Sequence, residues 1–467
     1  MKNNKVYLIG AGPGKADLIT VRGLNILSQA DVVIYDYLVD TQILSEAKEG
    51  AELICCDTLK GRRYSNGFFK DDEKINQLLI KKVKEGKRVV RLKNGDTGIF
   101  SRVSGELEAL IKENIRFEIV PGVTGASGAS AFSGIPLTDR RFASSCIFVT
   151  GHEDPAKIES LLDWQSIASQ GTIVLYMAVE NLTEIVKNLI DSGKSPLTPV
   201  AVIQNASLIT QKVIKGNLED IVKKAKHENI KPPALIIIGE VVKLEKNFNW
   251  LKKNKRILFT GLSQERFFLK ENYFHIPLIK IEPLEDYEEL DSFLGKIGEF
   301  DWIVFTSRYG VEYFFKRLNH LGFDSRLLKD IKIAVIGNST KTRLLDFGVI
   351  ADLMPVKESS EGLLEAFKKE NLKDKKIFLP RSDIADKGLT AGLELLGARV
   401  TSCVSYKNRM PEDLPDLNLS FFDEIMFTSP STVRNFRKRY GKIPEEIKIR
   451  CIGEVTLKEA ERCQLLG

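Results

Sequence analysis

Short apolar runs alternate with longer amphipathic stretches along nearly the whole chain. Val6-Tyr7-Leu8-Ile9, Val32–Tyr35, Val89-Val90, Ile119-Val120 and Ala234–Ile238 read as buried strands, because they are brief, rich in β-branched residues and bounded by Gly, Pro or Asp. The segments between them carry apolar positions at helical spacing. That alternation predicts an α/β protein: a two-lobed α/β unit followed by a two-lobed duplicated α/β unit. A chain of 467 residues exceeds one ordinary domain, and one break divides it. After Val241-Val242 the pattern turns polar and basic, and a fresh apolar run starts at Ile257. Residues 244–254 therefore read as a linker between a unit spanning 1–243 and another spanning 255–467. A softer boundary near Pro121-Gly122 splits the first unit into lobes of about 1–120 and 121–243.

The second unit repeats itself. Asp301-Trp-Ile-Val-Phe-Thr-Ser307 recurs as Asp423-Glu-Ile-Met-Phe-Thr-Ser429, and Ile331-Lys-Ile-Ala-Val-Ile-Gly337 recurs as Ile447-Lys-Ile-Arg-Cys-Ile-Gly453. Thr340 and Thr456 stand at the same offset beyond those glycines. Each copy reads as strand, hydroxyl-bearing turn, helix, strand, glycine turn, helix, which predicts two similar α/β lobes. The chain is expected to begin in one lobe (255–281), build the other (283–405) and return (408–467). The second copy stops at Leu466-Gly467, one strand and one helix short of the first.

Composition narrows the class. Hydrophobic content of 43% with 28% charged residues is that of a globular protein. No apolar run is long enough to span a bilayer, and Met1 leads within a few residues into a strand, so a cytoplasmic, membrane-free protein is expected. The six cysteines include no C-x-x-C pair and the four histidines are isolated, so no metal site is predicted. A net charge of +6 without an arginine-rich arm suits an anionic small substrate and argues against nucleic acid.

Candidate chemistry begins at Gly10-Ala11-Gly12-Pro13-Gly14, where the first strand empties into a glycine turn. A second strand ends at Asp36, near where a dinucleotide fold places its ribose carboxylate. The spacing is G-x-G-x-G, not G-x-G-x-x-G, and Pro13 removes an N–H that a pyrophosphate cradle would use. A dehydrogenase is therefore disfavoured. Three further segments carry the meaning: Val89-Val-Arg-Leu-Lys-Asn-Gly-Asp96 with Thr97-Gly-Ile-Phe100; Ile119-Val-Pro-Gly-Val-Thr-Gly-Ala126; and Gly134-Ile-Pro-Leu-Thr-Asp-Arg-Arg141 with Ser144-Ser-Cys-Ile-Phe-Val-Thr-Gly-His152.

In order and spacing these segments resemble the tetrapyrrole methylase family over about residues 4–243, most closely its uroporphyrinogen-III C-methyltransferases. The resemblance implies S-adenosyl-L-methionine bound between two lobes by Pro13, Asn94, Gly95, Asp96, Ile99, Thr124, Gly125, Met177 and Ala206. It also implies an anionic tetrapyrrole substrate and a homodimer formed through this half. Asp36 takes the family's general-base position. Arg62 stands where the family carries a lysine acid. Because a guanidinium does not release its proton, an electrostatic role follows for Arg62, with Arg63 and Arg140 as further clamps on substrate carboxylates. Asn94 replaces a family glycine, Thr97-Gly98 replaces Pro-Phe, Gln204-Asn-Ala-Ser207 replaces Glu-Asn-Gly-Thr, and Asp139 replaces a histidine.

The duplicated half resembles uroporphyrinogen-III synthase over about residues 255–467, on its two Phe-Thr-Ser turns, Ile336-Gly-Asn-Ser-Thr340, Phe378-Leu-Pro-Arg381 and Ile452-Gly453. That resemblance implies cyclisation of hydroxymethylbilane, with Ser307, Thr340, Ser429 and Thr456 positioned to bind substrate and Tyr406 to assist hydroxyl departure. The combined expectation is a bifunctional enzyme that makes uroporphyrinogen III and methylates it to precorrin-2. The alternative is a methylase of another tetrapyrrole intermediate carrying a non-catalytic tetrapyrrole-binding module.

Overall fold

The structure is a computed structural model that describes residues 5–56, 68–152, 161–262 and 272–465. The chain folds as two units, 1–255 and 256–467.

The first unit holds two sheets. β1 (Lys5–Gly10), β2 (Val32–Tyr35), β3 (Glu52–Cys55), β4 (Val89–Lys93) and β5 (Arg116–Val120) form a wholly parallel sheet in the order β3-β2-β4-β1-β5. Central β4 is buried along its length, as a parallel strand covered on both faces must be. Val6, Leu8, Ile34 and Val89 pack on one face, and Ile9, Val33, Val90 and Leu92 on the other. After β1 the chain moves to one side of the sheet, and after β4 it moves to the other. The carboxyl ends of β4 and β1 therefore border the crevice where open α/β sheets bind ligands.

The second sheet is mixed. β6 (Cys146–Thr150) runs parallel to β7 (Thr172–Tyr176), while β8 (Pro199–Gln204), β9 (Lys212–Asn217) and β10 (Ala234–Ile238) complete the order β6-β7-β10-β8-β9 with antiparallel pairs. Short connections such as that between β8 and β9 form hairpins, and hairpin strands must run antiparallel.

Residues 244–254, expected as a linker, are folded onto this unit. Helices Glu245–Phe248 and Trp250–Lys253 follow a 3₁₀ turn at Glu240–Leu244. Trp250 Nε1 donates to the Ala131 carbonyl at 2.7 Å, and its ring meets Phe132 at 5.5 Å. Glu245 is buried with Lys215, Asn249 and Lys252 around it. The basic composition that suggested a linker instead serves a buried carboxylate.

In the second unit β11 (Arg256–Phe259) and β12 (Asn272–His275) join β18 (Glu424–Phe427) and β19 (Lys448–Cys451) in a parallel sheet ordered β12-β11-β18-β19. A second sheet runs β13-β17-β16-β14-β15, from β13 (Lys280–Glu282), β14 (Trp302–Phe305), β15 (Lys332–Val335), β16 (Lys376–Ser382) and β17 (Arg399–Arg409). β13 pairs antiparallel with β17, so Lys280 and Ile281 belong to the lobe expected to start at 283. The repeat is visible in three dimensions. β14, helix Arg308–His320, β15 and helix Asn338–Leu345 match β18, helix Pro430–Tyr440, β19 and helix Glu454–Arg462.

Candidate active sites

In the first unit three glycine turns converge at the carboxyl ends of adjacent strands. Gly12 and Gly95 exchange backbone hydrogen bonds at 3.1 and 2.7 Å, joining the turns after β1 and β4. Gly122, after β5, closes the group. A Cβ on Gly10 would stand 2.6 Å from both Gly122 N and Gly95 O, so only bare backbone permits this approach. Asp96 fastens the turns: Oδ1 accepts the Gly98 N–H at 2.7 Å and Oδ2 the Gly122 N–H at 2.9 Å. Pro13 lies against helix Gly125–Ser133 where a Cβ on Gly128 would sit 2.5 Å from Pro13 Cβ. The Lys15 N–H donates to Ser207 Oγ at 3.1 Å.

The second lobe faces these turns with a different surface. The Tyr176 hydroxyl is 2.7 Å from Thr124 Oγ1 and accepts the Ala126 N–H at 2.9 Å, while its ring lies 5.0 Å from that of Phe100. Phe100, Met177, Asn205 and Ser207 all have positive φ, at 50°, 53°, 51° and 71°. Each costs backbone energy for a non-glycine residue, and such strain gathers at ligand sites. Met177 leaves 54% of its surface exposed, which is unusual for an apolar side chain held in a strained turn. Ala206 is buried between two of the strained residues.

The structure thus gathers Pro13, Asn94, Gly95, Asp96, Thr124, Gly125 and their neighbours around the three turns. Ile99 follows in the Asp96–Phe100 loop, and Met177 and Ala206 come from the ends of β7 and β8. Arg140 is exposed on the turn following helix Gly125–Ser133. Arg141 is occupied by Asp139, which accepts its Nε at 2.9 Å and Nη2 at 3.0 Å, so it is committed within its own turn. Arg62 and Arg63 lie outside the described residues. The combination of accessible backbone, a hydroxyl and exposed apolar and thioether groups fits S-adenosyl-L-methionine, which pairs an aromatic base with polar ends.

Asp36 follows β2 directly. Its Oδ1 accepts Arg91 Nη2 at 2.6 Å and its Oδ2 accepts the Asn94 N–H at 3.2 Å. Burial pushes its carboxyl up. The Arg91 and Lys93 charges, with the two hydrogen bonds, outweigh that and hold it below the usual carboxylate range. It remains 28% exposed, so an ionised oxygen can meet a ligand. The residues behind it, Arg91, Lys93 and Glu106, escaped the sequence reading. Their signal was available, since two cations spaced two apart in an otherwise apolar strand must share one face and find an anion.

In the second unit Ser307 caps helix Arg308–His320, its Oγ accepting the Gly310 N–H at 2.9 Å. Tyr406, buried in β17, places its hydroxyl 2.7 Å from the same oxygen. Burial pushes the phenol up, against the lowering effect of Ser307, Ser382 and the Arg381 charge. Tyr313 and Tyr309 stand 5.8 and 6.2 Å from its ring. Ser429 is the counterpart cap on helix Pro430–Tyr440, bonded to Ser431 and Thr432. Thr340 and Thr456 are only 2% and 4% exposed in the first turns of their helices. Among the described residues no group of His, Cys, Asp or Glu gathers to hold a metal, and no helix is long and apolar enough to cross a membrane.

These two arrangements define a two-lobed methylase joined to a second, duplicated α/β enzyme. Residues 5–222 match the tetrapyrrole (corrin/porphyrin) methylases and residues 270–466 match uroporphyrinogen-III synthase HemD. The whole chain is 33% identical to the porphyrin biosynthesis protein HemD of Ruminiclostridium josui, covering 95% of it. Over 51% of the chain it is 46% identical to the uroporphyrinogen-III C-methyltransferase of Methanocaldococcus jannaschii, covering 96% of that protein. A solved uroporphyrin-III C-methyl transferase of Thermus thermophilus, complexed with S-adenyl homocysteine, is 32% identical over 51% of this chain and 94% of its own, with a TM-score of 0.43. The chain belongs to the family in which a uroporphyrinogen-III C-methyltransferase is fused to a uroporphyrinogen-III synthase.

Proposed function

We propose that the second unit closes hydroxymethylbilane to uroporphyrinogen III and that the first methylates this product twice to precorrin-2. The observation that carries the reading is full-length similarity to one fused relative, with both halves matched in order.

S-adenosyl-L-methionine supplies an activated methyl group on a sulfonium. The three glycine turns, Thr124, Met177 and Ala206 hold and orient it, which is most of what an in-line displacement asks of a protein. Asp36, ionised and partly exposed, takes the proton that the methylated pyrrole ring must lose. Arg62, Arg63 and Arg140 attract the substrate's carboxylates. In the second unit the neutral Tyr406 phenol donates a proton to the departing hydroxyl of the bilane, and water leaves. The pyrrole proton released on ring closure restores the phenol. Ser307 orients the phenol, and Ser429 offers the matching hydroxyl from the second repeat. The enzyme works in the cytoplasm as a homodimer formed through the methylase.

The test supplies purified full-length protein and S-adenosylmethionine with either hydroxymethylbilane or uroporphyrinogen III and follows precorrin-2 by its absorbance. Product from both starting compounds is expected. Product from uroporphyrinogen III but not from the bilane would confine catalysis to the first unit, and no product from either would end the proposal.

A further inference from the structure

Four charged side chains form a chain beneath the first site, and the reaction described above uses only one of them. Arg91 and Lys93 project from the same face of β4, the middle strand of five, and each is 3% exposed. Glu106, in helix Val103–Lys112, accepts Arg91 Nε at 2.9 Å on Oε1 and Lys93 Nζ at 2.8 Å on Oε2. Arg91 continues the chain to Asp36 Oδ1 through Nη2 and places Nη1 3.1 Å from the Leu92 carbonyl. Two cations and two anions leave the quartet neutral, with its exposed end at Asp36.

Folding alone does not call for such a group. Well-packed apolar side chains in place of a buried ion cluster are commonly as stable or more so, and the neighbouring positions of β4 are Val and Leu. What an apolar core could not supply is a fixed field at Asp36. We propose that Glu106, Arg91 and Lys93 are positioning residues for methyl transfer: Glu106 fixes both cations, Arg91 aims the Asp36 carboxylate, and the charge balance of the quartet sets its strength as a proton acceptor. The inference rests on Asp36 being the base of the proposed reaction.

The signs follow from the geometry. Among the described residues, Arg91 and Lys93 from β4, Glu106 from its helix, Cys56 beyond β3 and the Asn94 N–H are the charged or titratable groups and the backbone donor facing the quartet. Among its described side chains, helix Phe68–Lys84 brings apolar Ile75, Leu79 and Val83 to this core, with Leu78 and Ile80 beside them. Removing the Lys93 charge leaves a net negative group, so Asp36 gains its proton at higher pH. Removing the Glu106 charge leaves a net positive group, so Asp36 gains it at lower pH. Removing both restores neutrality.

The test is single-turnover methylation of uroporphyrinogen III by the full-length protein from about pH 2 to about pH 9, a range that reaches below the ordinary carboxylate value. Lys93→Gln should raise the midpoint of the acid limb by about one pH unit. Glu106→Gln should displace it the other way and lower the neutral rate about tenfold as the base weakens. The double variant should return toward wild type, and Lys93→Arg, which keeps the charge, should leave the limb in place. Calorimetric affinity for S-adenosylmethionine certifies each fold, and Lys93→Met repeats the comparison. Limbs that coincide with wild type, or that move the same way in both single variants, overturn the inference. A wild-type protein without turnover overturns this reading and the proposed function together, whereas turnover with unmoved limbs overturns this one alone.

Discussion

Ser307 Oγ and the Tyr406 hydroxyl meet at 2.7 Å across 99 residues of sequence. The same serine oxygen caps helix Arg308–His320 through the Gly310 N–H, so a helix terminus fixes the phenol. Burial keeps the phenol protonated at neutral pH, which suits a proton donor. Tyr406→Phe is expected to slow cyclisation of hydroxymethylbilane about a hundredfold while leaving methylation of supplied uroporphyrinogen III intact. Unchanged cyclisation would remove Tyr406 from the reaction. Ser307→Ala should slow cyclisation less and cost about 1 kcal/mol of stability through the lost cap, read from denaturant midpoints.

Asp36→Asn keeps the size of the side chain and removes its basicity. Methyl transfer should fall about a hundredfold, with affinity for S-adenosylmethionine within about threefold of wild type because none of the donor-binding residues changes. Paired calorimetry and rate measurements decide it, and an undiminished rate would assign the proton to another group.

Gly10→Ala tests the convergence of the turns. Its methyl would stand 2.6 Å from the Gly122 nitrogen and the Gly95 carbonyl, both rigid backbone atoms. Overpacking of this kind costs about 1–3 kcal/mol, and here it also parts the turns that hold the methyl donor. A lowered melting temperature with at least about tenfold weaker donor binding, or roughly 1.4 kcal/mol, is expected. Unaltered binding would show that the turns do not need this contact.

Glu245 anchors residues 244–254 to the first unit. Burial pushes its carboxyl up, but hydrogen bonds from Lys215, Asn249 and Lys252 bring it down to about 2. A depressed folded value means the stabilisation is present above the ordinary carboxylate value and is lost as pH falls toward about 2. Glu245→Gln should therefore destabilise the first unit by about 2 kcal/mol at neutral pH, with the deficit shrinking below about pH 4. A deficit independent of pH would contradict the ion cluster. Urea unfolding at a series of pH values measures it.

Much of the fold could be read from local pattern. Apolar runs marked the strands, and the duplicated Phe-Thr-Ser turns marked two lobes whose helices now begin at Ser307 and Ser429. Composition misled at 244–254, because a basic, polar stretch looks the same whether it floats or surrounds a buried Glu245. At Thr340 and Thr456 an offset from a glycine turn places a hydroxyl near a helix start without saying that packing buries it.

The sequence alone determined what depends on neighbours along the chain: the alternation of strand and helix, the division near residue 255, the glycine turns and the position of Asp36 at a strand's end. Tertiary structure alone decided what depends on strands distant in sequence lying side by side. It brought Gly10, Gly95 and Gly122 into contact, set Tyr406 against Ser307, and joined Asp36 to Arg91, Glu106 and Lys93. The physical reason is register. Strand order and pairing, set by burial of whole faces at once, choose which side chains share a few ångströms, and no local pattern encodes that choice.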